Sequence, residues 1–313
     1  VAEAERLVDE CYDFVGFGKR SGVEVINALI TCYAEAGLTQ KAKDLLLSMR
    51  QRFGLRPRSG SYPAVMKALV EDNRPAEALA LFDRLVEAED RGGAGRRAEG
   101  RTENAPRGRA AIDLQCYTAA LGAARAMADF KKASWILKYA RAESLADILA
   151  TNLVPYVVAD AAFFLSEDAP ASVEQGRMLD ALEMLETLHE LAAPKASPET
   201  AEGREASALF GELRLSAASG TRSSAAKVAD AIMASKLIRA HRDFPLLVKR
   251  LCLNRAFAVA CALTKAYVIA LWPAGTVEGA RRRPGQPRFV GESRVLRRLR
   301  PLRQAADEAP SAS

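Results

Sequence analysis

The chain has 313 residues, 49% of them hydrophobic and only 6% aromatic, so it carries enough apolar material for a sizeable core and, with Leu and Ala dominating its periodic stretches, favours helices over strands. That composition excludes a disordered chain, and five cysteines (Cys11, Cys32, Cys116, Cys252, Cys261) without any CxxC spacing, beside only two histidines, exclude a clustered zinc site. The formal net charge is +6, and no run of about 18 uninterrupted apolar residues marks a membrane span. The cysteines are expected as small buried thiols in a reducing compartment.

Taken in chain order, Ala4, Leu7, Val8 and Cys11 reproduce, at an offset of 38, the stripe of Ala42, Leu45, Leu46 and Met49, so the sequence is expected to open inside a repeat. Val1 rather than Met comes first, which leaves room for an upstream targeting segment. Leu29 and Tyr33 predict a second helix, and Gly37 the left-handed residue that ends it. Ala42, Leu45, Leu46 and Met49 predict the helix that returns, with Pro57 as its stop.

A shift of 36 places Leu29 on Val65, Tyr33 on Leu69, Gly37 on Asn73, Ala42 on Ala78, Leu45 on Leu81, Leu46 on Phe82 and Met49 on Leu85. A third unit lies at an offset of 55, where Tyr62 meets Tyr117, Ala78 meets Ala133, Leu81 meets Ile136 and Phe82 meets Leu137. Removing the Gly- and Arg-rich, aperiodic stretch Arg91 to Ala110 reduces that offset to 35. Later stripes are Ala181, Met184, Leu185, Leu188, then Ala225, Val228, Ala229, Ile232, then Ala256, Val259, Ala260, Leu263. Ala256 to Trp272, with Lys265 in its middle, predicts a buried final helix.

The predicted fold is therefore all-α, a right-handed α-solenoid of helix-turn-helix repeats of about 35 residues. Its expected segments are repeats over 1–90, a Gly/Arg-rich insertion over 91–110, degenerating repeats over 111–192, a loop over 193–206, degenerate helical repeats over 207–273 and an Arg-rich C-terminal extension over 274–313.

The stretches VINALITCYAEAGLTQKAKDLLLSMRQRFGLRP (Val25 to Pro57) and SYPAVMKALVEDNRPAEALALFDRLVEAE (Ser61 to Glu89) resemble pentatricopeptide repeats, and CYTAALGAARAMADFKKASWILKYA (Cys116 to Ala140) is a weaker third copy. Tetratricopeptide repeats share the architecture, but the Trp and Leu-Gly of their signature are missing from these copies. The resemblance implies an organellar protein, mitochondrial or alternatively plastid, that binds single-stranded RNA along a groove at one base per repeat. It places base readers at Asn27 and Thr118, with Arg58 at the partner position of the first repeat, where a guanidinium contacts phosphate but accepts no hydrogen bond. The second repeat has Pro63 at the reading position, and the third pairs Thr118 with Ile148.

Charge is unevenly spread. The insertion 91–110 has six Arg against two Glu, the segment 281–303 has nine Arg against Glu292, and the rest of the chain comes to −6. Arg96, Arg97, Arg281, Arg282, Arg283, Arg297 and Arg298 are the expected RNA contacts of these extensions, since phosphate neutralisation supplies most non-specific affinity. Arg-rich arms on an acidic body suit a component of a large ribonucleoprotein, so the expected partners are RNA, ribosomal RNA first, and neighbouring protein subunits, as in a mitochondrial ribosome. A free RNA-processing or stability factor and a protein-binding scaffold of a membrane complex are the alternatives.

No glycine-rich phosphate loop, HExxH, GxSxG or paired metal motif occurs. No catalytic residue, metal, cofactor or small-molecule substrate is expected, nor membrane contact. His189, flanked by Glu186 and Glu190, and His241 are expected on the surface.

Overall fold

The computed structural model describes residues 19–95, 112–140, 142–192, 201–235 and 243–271, together with Arg6. The chain divides into two units, Val1–Val268 and Ile269–Ser313, the second described only over 269–271. The described residues are all-helical, with no strand among them. In chain order the helices are α1 (Lys19–Glu35), α2 (Thr39–Phe53), α3 (Pro63–Glu71), α4 (Pro75–Gly95), α5 (Leu114–Ala126), α6 (Phe130–Tyr139), α7 (Ala142–Leu149), α8 (Leu153–Leu165), α9 (Gln175–Ala192), α10 (Ala201–Ala218), α11 (Ala225–Ala234), α12 (Asp243–Leu253) and α13 (Phe257–Leu271). A short 3₁₀ turn, Ser59–Ser61, precedes α3.

One turn recurs and defines the hairpins. Gly37 (φ 70), Asn73 (φ 59), Ala128 (φ 52) and Arg255 (φ 63) are left-handed, and two residues after each the next helix starts. In all four the left-handed residue's N–H bonds three residues back, and the following N–H reaches five back: Gly37 to Ala34 O and Leu38 to Tyr33 O, Asn73 to Val70 O and Arg74 to Leu69 O, Ala128 to Arg125 O and Asp129 to Ala124 O, Arg255 to Cys252 O and Ala256 to Leu251 O. These bonds satisfy carbonyls that the helix end would otherwise leave open. Gly220 (φ 71) repeats the bonding, through Ala217 and Ser216, but three further residues intervene before α11.

Local chemistry explains the starts. Asp113 caps α5 by accepting from Gln115 N (3.1 Å), and Asp129 caps α6 by accepting from Lys132 N (2.9 Å). Pro63 and Pro75 open α3 and α4, where the missing N–H is harmless. The second helix ends differently from expectation: Gly54 (φ 64) closes α2 at Phe53, before Pro57 is reached.

The predicted stripes are the core. Leu29, Tyr33, Ala42, Leu45, Leu46, Met49, Val65, Leu69, Ala78, Leu81, Phe82 and Leu85 are all buried, and so are the later stripes in α9, α11 and α13. Phe82 of α4 meets Tyr117 of α5 edge-on at 5.8 Å, joining consecutive hairpins. Truncating a fully buried member such as Leu46 to Ala removes about 3 kcal/mol through lost transfer energy and a cavity. The stripe Ala4, Leu7, Val8, Cys11 lies outside the described residues.

The first helices of the hairpins form one row, in which α1 packs on α3, α3 on α5, α5 on α8 and α8 on α12. Other helices also pack in succession, α6 on α9, α9 on α10 and α10 on α11. Ion pairs join helices across the surface: Lys43–Glu77 between α2 and α4, Lys132–Asp83 (2.6 Å) between α6 and α4, Lys138–Glu183 (3.1 Å) between α6 and α9, Arg214–Glu186 between α10 and α9, and Lys227–Glu212 (3.0 Å) between α11 and α10. Being at least partly open to solvent, each contributes modestly.

Beyond α6 the regular succession changes. Helix α7 is an extra element, α12 packs directly on α8, and α10 starts at Ala201, inside the segment 193–206 expected as a loop. Helix α4 likewise continues to Gly95, into the segment 91–110 expected to be aperiodic. The bend after α8 gathers the C-terminal helices: Ser166 bridges Ser223, Glu167 accepts from Ala225 N of α11 (3.5 Å), and Asp168 accepts from Ala258 N and Val259 N of α13 (3.1 and 3.3 Å).

Candidate nucleic-acid interface

The three groove candidates sit along the first row of helices. Asn27 is half-buried on α1, and its side-chain Oδ1 is buried with no hydrogen-bond partner, an acceptor left unspent. Its backbone carbonyl accepts from Thr31 Oγ1 at 3.0 Å. Thr118, half-buried on α5, donates its hydroxyl to Gln115 O (3.0 Å) and keeps lone pairs for a second partner. Arg58 is exposed, just before the 3₁₀ turn that packs on α1, α3 and α5, with its N–H held by Ser61 Oγ (3.2 Å). Among the described residues no hydrogen bond joins the three to one another, so they stand as separate positions along the row.

Two reading positions are closed by the structure. Pro63 is buried as the first residue of α3, and Ile148 is fully buried in α7, so neither offers a polar group to a strand. Arg96, Arg97, Arg281, Arg282, Arg283, Arg297 and Arg298 lie outside the described residues.

The first hairpin, α1 with α2, carries Asn27 and ends its first helix in the left-handed Gly37. Its sequence decides its kind. Residues 25–52 match the family model of the PPR repeat. The PPR repeat is an RNA-binding helical-repeat unit, and its matched span covers most of both helices of this hairpin. No curated protein and no solved structure matches the chain.

Further along the row a feature appears that local spacing does not announce. Asp160 of α8 is buried, and three donors converge on it, from α12, from the residue just after α12 and from α5: Arg250 Nε (2.9 Å), Asn254 Nδ2 (2.6 Å) and, more loosely, Arg125 Nη1 (3.4 Å). Arg125 also lies over the Tyr156 ring, 5.7 Å from its centroid. Sequence reasoning missed this site because its members are 35 and 90 residues apart; the only local hint is that Arg125 and Arg250 each fall in the last turn of a helix, where a cation is favoured.

Other expectations change. Cys116 is buried, donating Sγ to Ser59 O at 3.0 Å, and burial together with nearby Asp113 pushes its thiol up to about 12. Cys32 and Cys261, by contrast, are exposed, because they fall on the outward side of α1 and α13. Cys11 and His241 lie outside the described residues. His189 is half-buried, not a surface residue: Nδ1 is 3.0 Å from Ser235 O, and the ring tilts against Phe210 at 5.7 Å, tying α9 to the end of α11. Among the described residues no group of His, Cys, Asp or Glu suits a metal, and no helix is long and apolar enough to cross a membrane.

Proposed function

We propose that this chain is an organellar PPR-like protein that binds single-stranded RNA along its first row of helices and serves as a structural adaptor, foremost in a mitochondrial ribosome. The observation that carries the RNA part is the PPR repeat at 25–52, set in a hairpin whose turn recurs after α3, α5 and α12. Hairpins sharing one turn favour side-by-side stacking, and the right-handed solenoid is the arrangement this reading adopts. The adaptor part rests on charge: the Arg-rich segments 91–110 and 281–303 oppose a remainder of −6, a distribution suited to gripping a large polyanion from an acidic scaffold.

Sedimentation of the native protein from organelle extracts, with RNA crosslinking and sequencing, tests this reading. Co-migration with a ribosome-sized particle and crosslinks scattered over ribosomal RNA are expected. Migration as a free protein with one short transcript footprint replaces it by a processing or stability factor, a reading that the unspent Asn27 Oδ1 favours. Absence of any RNA crosslink removes both.

A further inference from the structure

Two arginines share a single buried carboxylate, and that leaves positive charge unspent. Each guanidinium has five N–H donors, of which Asp160 engages one from Arg250 and, at 3.4 Å, one from Arg125. Asn254 supplies a third donor to the same carboxylate. Arg125 Nε is itself buried without a partner, so this guanidinium keeps a donor that no described group satisfies.

The site is open rather than sealed. A cavity of about 170 Å³ lies against Arg125, Asp160, Arg250 and Asn254, walled on its apolar side by Phe163 and Phe164. The carbonyls at the ends of α5 and α12 do not absorb the charge, because the turns at Ala128 and Arg255 already satisfy them with backbone N–H groups.

Position points to the ligand. Thr118, Gly122 and Arg125 are spaced four and three apart, one stripe of α5. A side-chain atom built at Gly122 would meet nothing within 4 Å, so the stripe is unobstructed from the reading position Thr118 to the cluster. Planar guanidinium forks match phosphate oxygens, and half-buried aromatic walls suit an adjoining base.

We propose that Arg125 and Arg250, oriented by Asp160, hold a phosphodiester of the single-stranded RNA that passes Thr118. This inference rests on the RNA-binding reading and assigns it a contact. Arg125 and Arg250 touch the phosphate; Asp160 is a positioning residue that keeps both forks turned to one point.

The test uses the full chain and a mixed-sequence, single-stranded RNA dodecamer followed by fluorescence anisotropy across a salt series. R125Q and R250Q are each expected to weaken binding by about threefold to tenfold and to flatten the log–log salt slope by roughly 0.7, the change for one lost phosphate contact on a single strand. K131Q, at an exposed lysine of α6, changes neither. D160N, which keeps the shape but weakens the anchor that turns both forks to one point, is expected to weaken binding; unchanged or tighter binding would overturn the positioning role of Asp160. Thermal melting identifies any variant that fails to fold, and the remaining two then decide.

If the native chain binds no RNA, the RNA reading itself falls. If it binds RNA but R125Q and R250Q retain its affinity and slope, only the present inference falls. Displacement of the dodecamer by hexaglutamate as readily as by unlabelled RNA overturns the phosphate assignment in favour of an acidic peptide. Occupation by inorganic phosphate or AMP alone, with strand binding untouched by the variants, overturns the strand as its source.

Discussion

Ala128 fills, in the turn after α5, the left-handed position that Gly37 fills after α1: φ is 52 at the alanine and 70 at the glycine, with the same two backbone hydrogen bonds closing each turn. A β-carbon in this region clashes with the following carbonyl, so the alanine is strained where the glycine is not. Ala128→Gly is therefore expected to stabilise the chain, by somewhat less than about 1 kcal/mol because glycine also gains freedom when unfolded. Gly37→Ala is expected to destabilise by about 1 kcal/mol, from backbone strain alone, since an added β-carbon there meets nothing within 4 Å. Urea unfolding followed by circular dichroism measures both signs, and equal effects of the two substitutions would contradict the shared turn.

Asp160→Ala leaves Arg125 and Arg250, whose side chains are 24% and 29% exposed, facing each other without their counter-charge. Breaking a buried pair from one side is worth about 3 kcal/mol. Asn254→Ala removes one neutral donor and is expected to lower stability by about 1 kcal/mol. The ratio of the two losses in chemical denaturation is the informative quantity: similar losses would mean that the carboxylate does not organise the cluster.

Glu77 is held well below the usual carboxylate range, to about 2, first by hydrogen bonds from Arg74 and then by the one from Lys43 of α2. A depressed folded value means that its contribution is present above the unfolded value of 4.5 and fades as pH falls toward 2. Melting temperatures of the native chain and Glu77→Gln should differ at pH 6 and converge near pH 2. A constant difference across that window would exclude the linkage.

Thiol labelling at pH 8 should separate the cysteines. Cys32 and Cys261 are exposed and are expected to react within minutes with a maleimide, while Cys116, buried with its pKa near 12, stays unmodified until the chain unfolds. Peptide mapping after a short pulse reads each site separately. Early modification of Cys116 would show that α5 does not pack on the Ser59 turn.

Much of the fold was legible because helix packing writes a short period. Leu29 and Tyr33, or Ala42, Leu45, Leu46 and Met49, announce themselves at i, i+3 and i+4, and all of them are buried. Gly37 and Asn73 were readable as turn residues because glycine and asparagine tolerate a positive φ. Ala128 and Arg255 adopt the same conformation without any such signal; the surrounding hydrogen bonds impose it. Asp160 was invisible for another reason: as a single acid in the apolar run LVPYVVADAAFFL, it acquires meaning only when α5 and α12 bring their arginines to it. Long-range convergence leaves no period, so the charged cluster went unannounced by the sequence.

The bend after α8 places two adjacent acids on the starts of two helices remote in the chain, Glu167 on α11 and Asp168 on α13. Because one rigid corner serves both, loosening it exposes the amides of both helices at once, and their hydrogen exchange becomes a single cooperative event. A change at this corner would thus be felt as simultaneous fraying of segments that share no sequence neighbour, while the PPR repeat near the other end keeps its protection.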